Sequence, residues 1–175
     1  DDVDWAVPAV TALFTKGIIN GKTADEFRPN DNITREEFVK LLIKTFELNV
    51  LGNGMNFEDV KEEDWYYAYV RSAYYADIVK GVSETMFGAG QNITRQDIAA
   101  MSCRAADVSD VKIAETTQEF IFADESDIAE YANDAVRLMQ RGGIINGDEN
   151  GRFNPEAYAT RAEAAKIIYN LFLML

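Results

Sequence analysis

The sequence predicts an all-α fold built from three copies of one helix-loop-helix unit, and three observations carry that prediction. A Thr-Arg pair recurs at Thr34-Arg35, Thr94-Arg95 and Thr160-Arg161; a glycine stands 13 residues before each Thr (Gly21, Gly81, Gly147); an aromatic residue stands 16 before each of those glycines (Trp5, Trp65, Tyr131). The Arg-to-Arg steps are 60 and 66 residues, so changes of length are confined to the connections between units. Such fixed-period self-similarity marks a repeat whose units bury their apolar faces only against their neighbours. The units are taken as residues 1–52, 53–112 and 113–175, and function is sought in what is repeated.

The first helix of each unit follows the aromatic residue. In the first unit Asp4 is the expected N-cap, Pro8 falls in the opening turn where a missing N–H is tolerated, and Ala6, Ala9, Val10 and Leu13 form a stripe at helical spacing. The matching stripes are Tyr66, Tyr69, Val70 and Ala73, then Ala132, Ala135, Val136 and Met139. Gly17 and Gly143 are placed as helix stops, with Asp77 at that position in the middle unit. The pairs Ile18-Ile19, Ile78-Val79 and Ile144-Ile145 are β-branched and suit an extended stretch. Gly21, Gly81 and Gly147 then read as positive-φ turns, with close backbone approach of a ligand as the second reading.

The second helix opens on a capping box, Thr34 with Glu37 and Thr160 with Glu163; Asp97 after Thr94 is a shorter version. Phe38, Leu41, Leu42, Thr45 and Phe46 make its core face in the first unit, echoed by Ala164, Ile167, Ile168, Leu171 and Phe172. The middle unit has the thinner set Ile98, Met101, Ser102, Ala105 and Ala106 and is expected to pack least well. Phe27, Phe87 and Phe153, each eight residues before the Arg, are assigned to the core. The connections are 49–63 and about 106–129. Residues 113–122 are compatible with a helical turn or a short strand. Phe57-Glu58-Asp59-Val60 and Phe122-Ala123-Asp124 introduce the second and third units, with Asp2-Val3 as the remnant in the first.

Composition removes several functions. A formal charge of −13 without any basic cluster opposes binding to nucleic acid or an anionic lipid surface. No apolar run approaches the roughly 18 to 20 residues that cross a bilayer, and the start lacks a charged-then-apolar leader, so a mature or trimmed segment is expected. The single cysteine, Cys103, allows no intrachain disulfide. The absence of histidine removes the commonest general base, zinc ligand and nucleophile partner. The chain is therefore read as no enzyme, with no metal and no cofactor.

Arg35, Arg95 and Arg161 each place a cation in the first turn of a helix, the wrong sign for the macrodipole. One reason for three such choices is an anion, held by free N–H groups and a guanidinium fork; Arg→Ala would then weaken binding without unfolding the chain. The other is an ion pair with an acid of a neighbouring unit. Trp5, Trp65 and Tyr131 are open to the same two readings, a ligand platform or a staple onto the core.

The runs Asp4-Trp5-Ala6, Gly17-Ile18-Ile19-Asn20-Gly21, Phe27-Arg28-Pro29 and Ile33-Thr34-Arg35-Glu36-Glu37-Phe38 resemble the S-layer homology domain, and nearly the whole chain looks like three such domains in tandem. The Thr-Arg-Ala-Glu signature is complete at Thr160–Glu163, close at Thr34–Glu37 and weakened at Thr94–Asp97. Ala89 replaces the proline found at Pro29 and Pro155, and Tyr131 replaces tryptophan, so unequal affinities are expected. The resemblance implies a pseudo-threefold arrangement around a central helical bundle with grooves between adjacent domains. It also implies a monomeric pseudo-trimer, secreted to the bacterial cell wall or S-layer, that anchors surface proteins non-covalently to a cell-wall polysaccharide, often one bearing pyruvate ketals. Arg35, Arg95 and Arg161 would hold the ketal carboxylate, with Trp5, Trp65, Tyr131, Gly21, Gly81 and Gly147 shaping the grooves.

Three rivals remain at this stage. Asn146-Gly147-Asp148-Glu149-Asn150-Gly151 begins like a calcium loop, although Ala157 stands where the closing Glu belongs. A glycosidase would need a carboxylate pair, and none stands out among 30 acids. A scaffold that binds only proteins is the third.

Overall fold

The computed structural model describes residues 3–23 and 25–175. Six α-helices span α1 (Val7–Thr15), α2 (Arg35–Thr45), α3 (Tyr67–Tyr75), α4 (Arg95–Val108), α5 (Asn133–Arg141) and α6 (Arg161–Phe172), with no strand among the described residues. Two helices per unit and the all-α class agree with the sequence. The start of α1 does not: Asp4 opens a 3₁₀ turn, Asp4–Ala6, and Ala6 is the N-cap. Residues 113–122 form neither helix nor strand; the backbone N–H groups of Thr116 and Thr117 instead cap α5 by donating to the Arg141 carbonyl. Asp2 lies outside the described residues.

The helix faces are those that the periodicity marks. Phe38, Leu41, Leu42 and Thr45 of α2 and Phe46 at its C-cap are buried, as are Ala164, Ile167, Ile168 and Leu171 of α6, while Phe172 is only partly buried. The thin stripe of α4 is equally enclosed, from Ile98 to Ala106, although the buried Ser102 hydroxyl has no hydrogen-bond partner. Gly17, Asp77 and Gly143 all have positive φ, at 68°, 55° and 67°, so the middle unit makes the same helix stop with an aspartate.

The packing pairs cross the unit boundaries. Helix α3 lies on α2, α5 on α4 and α1 on α6, so the first helix of each unit covers the second helix of the unit before it, and the last pairing closes the series on itself. Helix α2 also touches α4 and α6. Just before the second helices the backbone repeats this closure. Ile33 N–H donates to Ala159, Ala159 N–H to Ile93, and Ile93 N–H to Ile33, at 3.1 to 3.2 Å. Isolated bridges pair Asn32 with Thr160, Thr34 with Asn92 and Thr94 with Tyr158.

Candidate functional site

The three signature arginines leave their own helices and reach into the next unit. Arg35 donates from Nε to the Phe87 carbonyl (3.0 Å), from Nη2 to Lys80 O (3.3 Å) and from Nη1 to Asp97 Oδ2 (2.6 Å). Arg95 repeats the set with Phe153 O (2.8 Å), Asn146 O (3.3 Å) and Glu163 Oε1 (2.9 Å). Arg161 closes the ring with Phe27 O (2.9 Å) and Asn20 O (2.7 Å), but Glu37 Oε1 stays 3.7 Å from its Nη1. Each guanidinium also lies over the ring whose carbonyl it binds, 4.7 to 5.3 Å from the centroids of Phe27, Phe87 and Phe153. Phe87 and Phe153 are fully buried and Phe27 partly so, and all three serve as floors for arginines as well as core.

This geometry answers the macrodipole puzzle. The side chains of Arg35, Arg95 and Arg161 are only 4%, 19% and 6% exposed, because each charge is drawn away from its own helix start into carbonyls of the next unit. The helix starts themselves are occupied. Arg35 N–H donates to Gln91, Arg95 N–H to Ala157 and Arg161 N–H to Asp31, while Gln96 and Ala162 donate to Pro155 and Pro29. An anion site made of free N–H groups is therefore absent at these positions. What remains is donor capacity on the guanidinium ends, which carry two N–H groups each.

The box acids divide in an informative way. Glu163 caps Thr160 N–H with Oε2 (2.8 Å) while Oε1 holds Arg95. Glu37 caps Thr34 N–H with Oε2 (3.1 Å), and its Oε1 takes Lys22 at 2.6 Å. Asp97 is too short to do both; it leaves the cap and accepts from Arg35 and from the Tyr131 hydroxyl (2.8 Å). Burial pushes the Tyr131 hydroxyl pKa up, and the Asp97 hydrogen bond adds to it. Burial pushes the Glu37 carboxyl up too, but the Lys22 and Thr34 hydrogen bonds and the charges of Lys22 and Arg161 outweigh it and leave it below the usual range.

A cleft opens beside each arginine. Arg161 borders one of about 200 Å³ with Asn20, Gly21, Glu37, Lys40 and Trp65. Arg35 borders one of about 550 Å³ with Gly81, Asp97, Arg104, Tyr131 and Glu156. Arg95 borders one of about 360 Å³ with Gly147, Asp148, Tyr158 and Glu163. Two clefts thus gather an arginine from one unit, a glycine from the next and an aromatic residue from the one after. Trp5 is not among the residues lining the third, where Tyr158 supplies the ring. Trp5, Trp65 and Tyr131 are 50%, 56% and 54% exposed, so none is enclosed in the core, and Tyr131 also ties its unit to the preceding one through Asp97. In the Arg161 cleft Lys40 Nζ stands 5.6 Å from the Trp65 ring centroid. Burial, with Lys44 and Arg161 nearby and only Glu37 opposing, holds the Lys40 amine below its ordinary pKa.

The repeated glycines do not have positive φ. A Cβ would come within 2.4 Å of Thr23 O at Gly21 and 2.3 Å of Ser83 O at Gly81, and 3.1 Å from Arg152 O at Gly147, so the loop's own backbone excludes a side chain at the first two and crowds the third. The left-handed positions are instead Arg28, Gly88 and Asn154, one residue after each arginine-binding Phe. In the second and third units that turn is held by aspartates that the sequence marks at the unit entries but to which motif reading gave no role. Asp59 accepts the N–H groups of Phe87, Gly88 and Ala89, all at 2.8 Å, and Asp124 those of Phe153 (2.7 Å) and Asn154 (2.8 Å). Their signal was the Phe-x-Asp that opens the second and third units. Asp148 of the calcium-like loop is engaged locally, by the N–H groups of Asn150 and Arg152 and the Asn154 amide. No group of three or more potential metal ligands occurs among the described residues.

Fold and clefts together define a helical repeat that closes on itself and presents one arginine-bordered groove per unit boundary. The chain belongs to the S-layer homology domain family, which matches residues 1–39, 56–99 and 121–165. It is similar to an amylopullulanase of Thermoanaerobacterium thermosulfurigenes and to exoglucanase XynX of Acetivibrio thermocellus, at 32% identity over 96% of the chain. It also resembles the surface-layer 125 kDa protein of Lysinibacillus sphaericus, at 30% identity over 93% of the chain. The chain spans only 9%, 15% and 14% of those relatives' lengths. It is a cell-wall anchoring module of the cell surface, and its likeness to the enzymes is confined to a small part of each.

Proposed function

We propose that the grooves bind a cell-wall polysaccharide through an acidic substituent, a pyruvate ketal, with the carboxylate at the cations and the sugar ring on the exposed aromatic residue. The observation that carries this is the Arg161 groove, where Arg161 and Lys40 converge beside the half-exposed indole of Trp65. Both cations are held below their ordinary pKa, burial being the largest cause for each, so an incoming carboxylate relieves a charge that water solvates incompletely. An indole face and a charge-assisted contact are complementary to a sugar ring bearing a carboxylate. The chain's overall negative charge weakens this attraction little, because exposed charges beyond about 8 Å are screened at physiological ionic strength.

The arginines are poor probes of this reading. Replacing one by alanine strips two backbone carbonyls of their donor and leaves a carboxylate facing the gap, so it damages the fold as well as the groove. Lys40→Met and Trp65→Ala remove groove chemistry from side chains that tie no units together by hydrogen bonds. Each variant is expected to keep its melting temperature within about 3 °C and to lose about tenfold or more in affinity for deproteinised wall polymer. Binding by the parent chain should be competed by a pyruvylated monosaccharide. Undiminished binding by the double variant, or failure of that sugar to compete, would dismiss the reading.

A further inference from the structure

The residue after the repeated glycine is different in every unit: Lys22, Val82 and Asp148. Lys22 is ion-paired to the acid that faces its groove's arginine, and Val82 and Asp148 line the same grooves as the corresponding acids. Lys22 holds Glu37 Oε1 at 2.6 Å, and the same oxygen remains 3.7 Å from Arg161 Nη1, too far for a hydrogen bond. Val82 offers no competing charge, and Asp97 closes on Arg35 at 2.6 Å. Asp148 lines the same groove as Glu163, adding a second negative charge although its oxygens are held by Asn150, Arg152 and Asn154, and Glu163 stays bound to Arg95 at 2.9 Å.

The lining charges set the Arg95 groove apart from the other two. Arg161 and Lys40 line their groove with Glu37, a net of +1, while Lys22 stands on Glu37 from outside the lining and Asp31 also acts on Arg161. Arg35, Lys80 and Arg104 face Asp97 and Glu156, a net of +1, with the arginine already occupied by an internal carboxylate. Arg95 faces Glu163 and Asp148, a net of −1. Arg161 is the one of the three whose Nη1 makes no hydrogen bond to an internal carboxylate; at Arg35 and Arg95 a ligand carboxylate competes with one for the same nitrogen, which subtracts from its affinity.

We infer that Lys22 is a positioning residue that makes the Arg161 groove the acidic-ligand site, by holding Glu37 off Arg161, and that Asp148 at the same place bars an anion from the Arg95 groove. This rests on the proposal that the grooves take an acidic sugar. Specificity among three similar grooves is then set by one variable position, using attraction in one unit and repulsion in another.

The amides of Gly21, Gly81 and Gly147 each report one groove in a proton–nitrogen correlation spectrum of the intact chain. Titration with a pyruvate-ketal monosaccharide should move the Gly21 signal at concentrations about tenfold below those that move Gly81 or Gly147. Lys22→Met should weaken the Gly21 response about tenfold, and Lys22→Arg should preserve it. Val82→Lys, at a half-exposed position, should shift the Gly81 response to about fivefold lower concentration by drawing Asp97 off Arg35. Equal responses at Gly21 and Gly147, or unaltered responses in both Lys22→Met and Val82→Lys, overturn the inference and leave the acidic-sugar proposal standing. Silence at all three glycines overturns that proposal itself.

Discussion

Asp59 shows how a single side chain can govern a groove that it does not line. Its carboxylate collects three consecutive N–H groups around the turn whose Phe87 carbonyl holds Arg35, so the arginine's position depends on an aspartate 24 residues away in sequence. Burial raises the Asp59 pKa, but the N–H bonds from Ala89, Phe87 and Gly88 outweigh it and leave the carboxyl below its usual range. A folded-state pKa below the unfolded one gives stability that is present above about pH 4, the unfolded value, and is lost as the pH falls through the folded value. Asp59→Asn is therefore expected to be less stable than the parent by about 1 kcal/mol at pH 7 and to lose less between pH 4 and pH 2. Urea midpoints at pH 7, 4 and 2 measure both. Parallel profiles for the two proteins would show that Asp59 does not carry this acid dependence.

At the scale of the element, the helices were legible and their terminal chemistry was legible in part. Thr34, Thr94 and Thr160 announce α2, α4 and α6 because an N-cap is a local device, and the stripes announce the buried faces because periodicity is local too. The inward course of the arginines was not legible, since a residue just after the cap can turn either way and its partners lie 45 to 141 residues distant. The glycine assignments failed for a related reason: composition marks a tight place without telling whether φ or a crossing backbone makes it tight. The helix stop did carry over, and it exposes a weak point. Asp77 adopts at φ 55° the conformation that Gly17 and Gly143 adopt without a Cβ, at an exposed position where its side chain gains little from packing. Asp77→Gly should stabilise the chain by about 1 kcal/mol, seen as a rise in melting temperature of about 2 to 4 °C. A lower melting temperature would mean that Asp77 makes a compensating contact.

The whole molecule is organised differently from its sequence. A repeat read from residue patterns begins at the aromatic residue and ends after the second helix, yet each second helix is covered by the first helix of the following unit, with α1 returning to cover α6. The same cyclic order governs the arginines, which run from Arg35 to the second unit, from Arg95 to the third and from Arg161 back to the first, and the backbone bonds among Ile33, Ile93 and Ala159. No unit contains its own helix pairing. The segment 53–112 holds α3 and α4 but lacks α2, on which α3 lies, and α5, which covers α4, so Ile98, Met101 and Ala105 would face water. Helices of 9 and 14 residues are marginal alone, and apolar burial supplies what propensity does not. The isolated segment 53–112 should therefore give a coil-like circular dichroism spectrum at temperatures where the intact chain is helical. The intact chain should melt in one transition that coincides by circular dichroism and by tryptophan fluorescence, because Trp5 and Trp65 report pairings on different sides of the same closed ring. A helical, cooperatively melting segment 53–112 would show that closure is dispensable; two separated transitions in the intact chain would show that the ring opens in stages. With both expected outcomes, a groove that draws its arginine and its glycine from different units forms only when those units pack together, and the Arg161 groove only when the ring is closed.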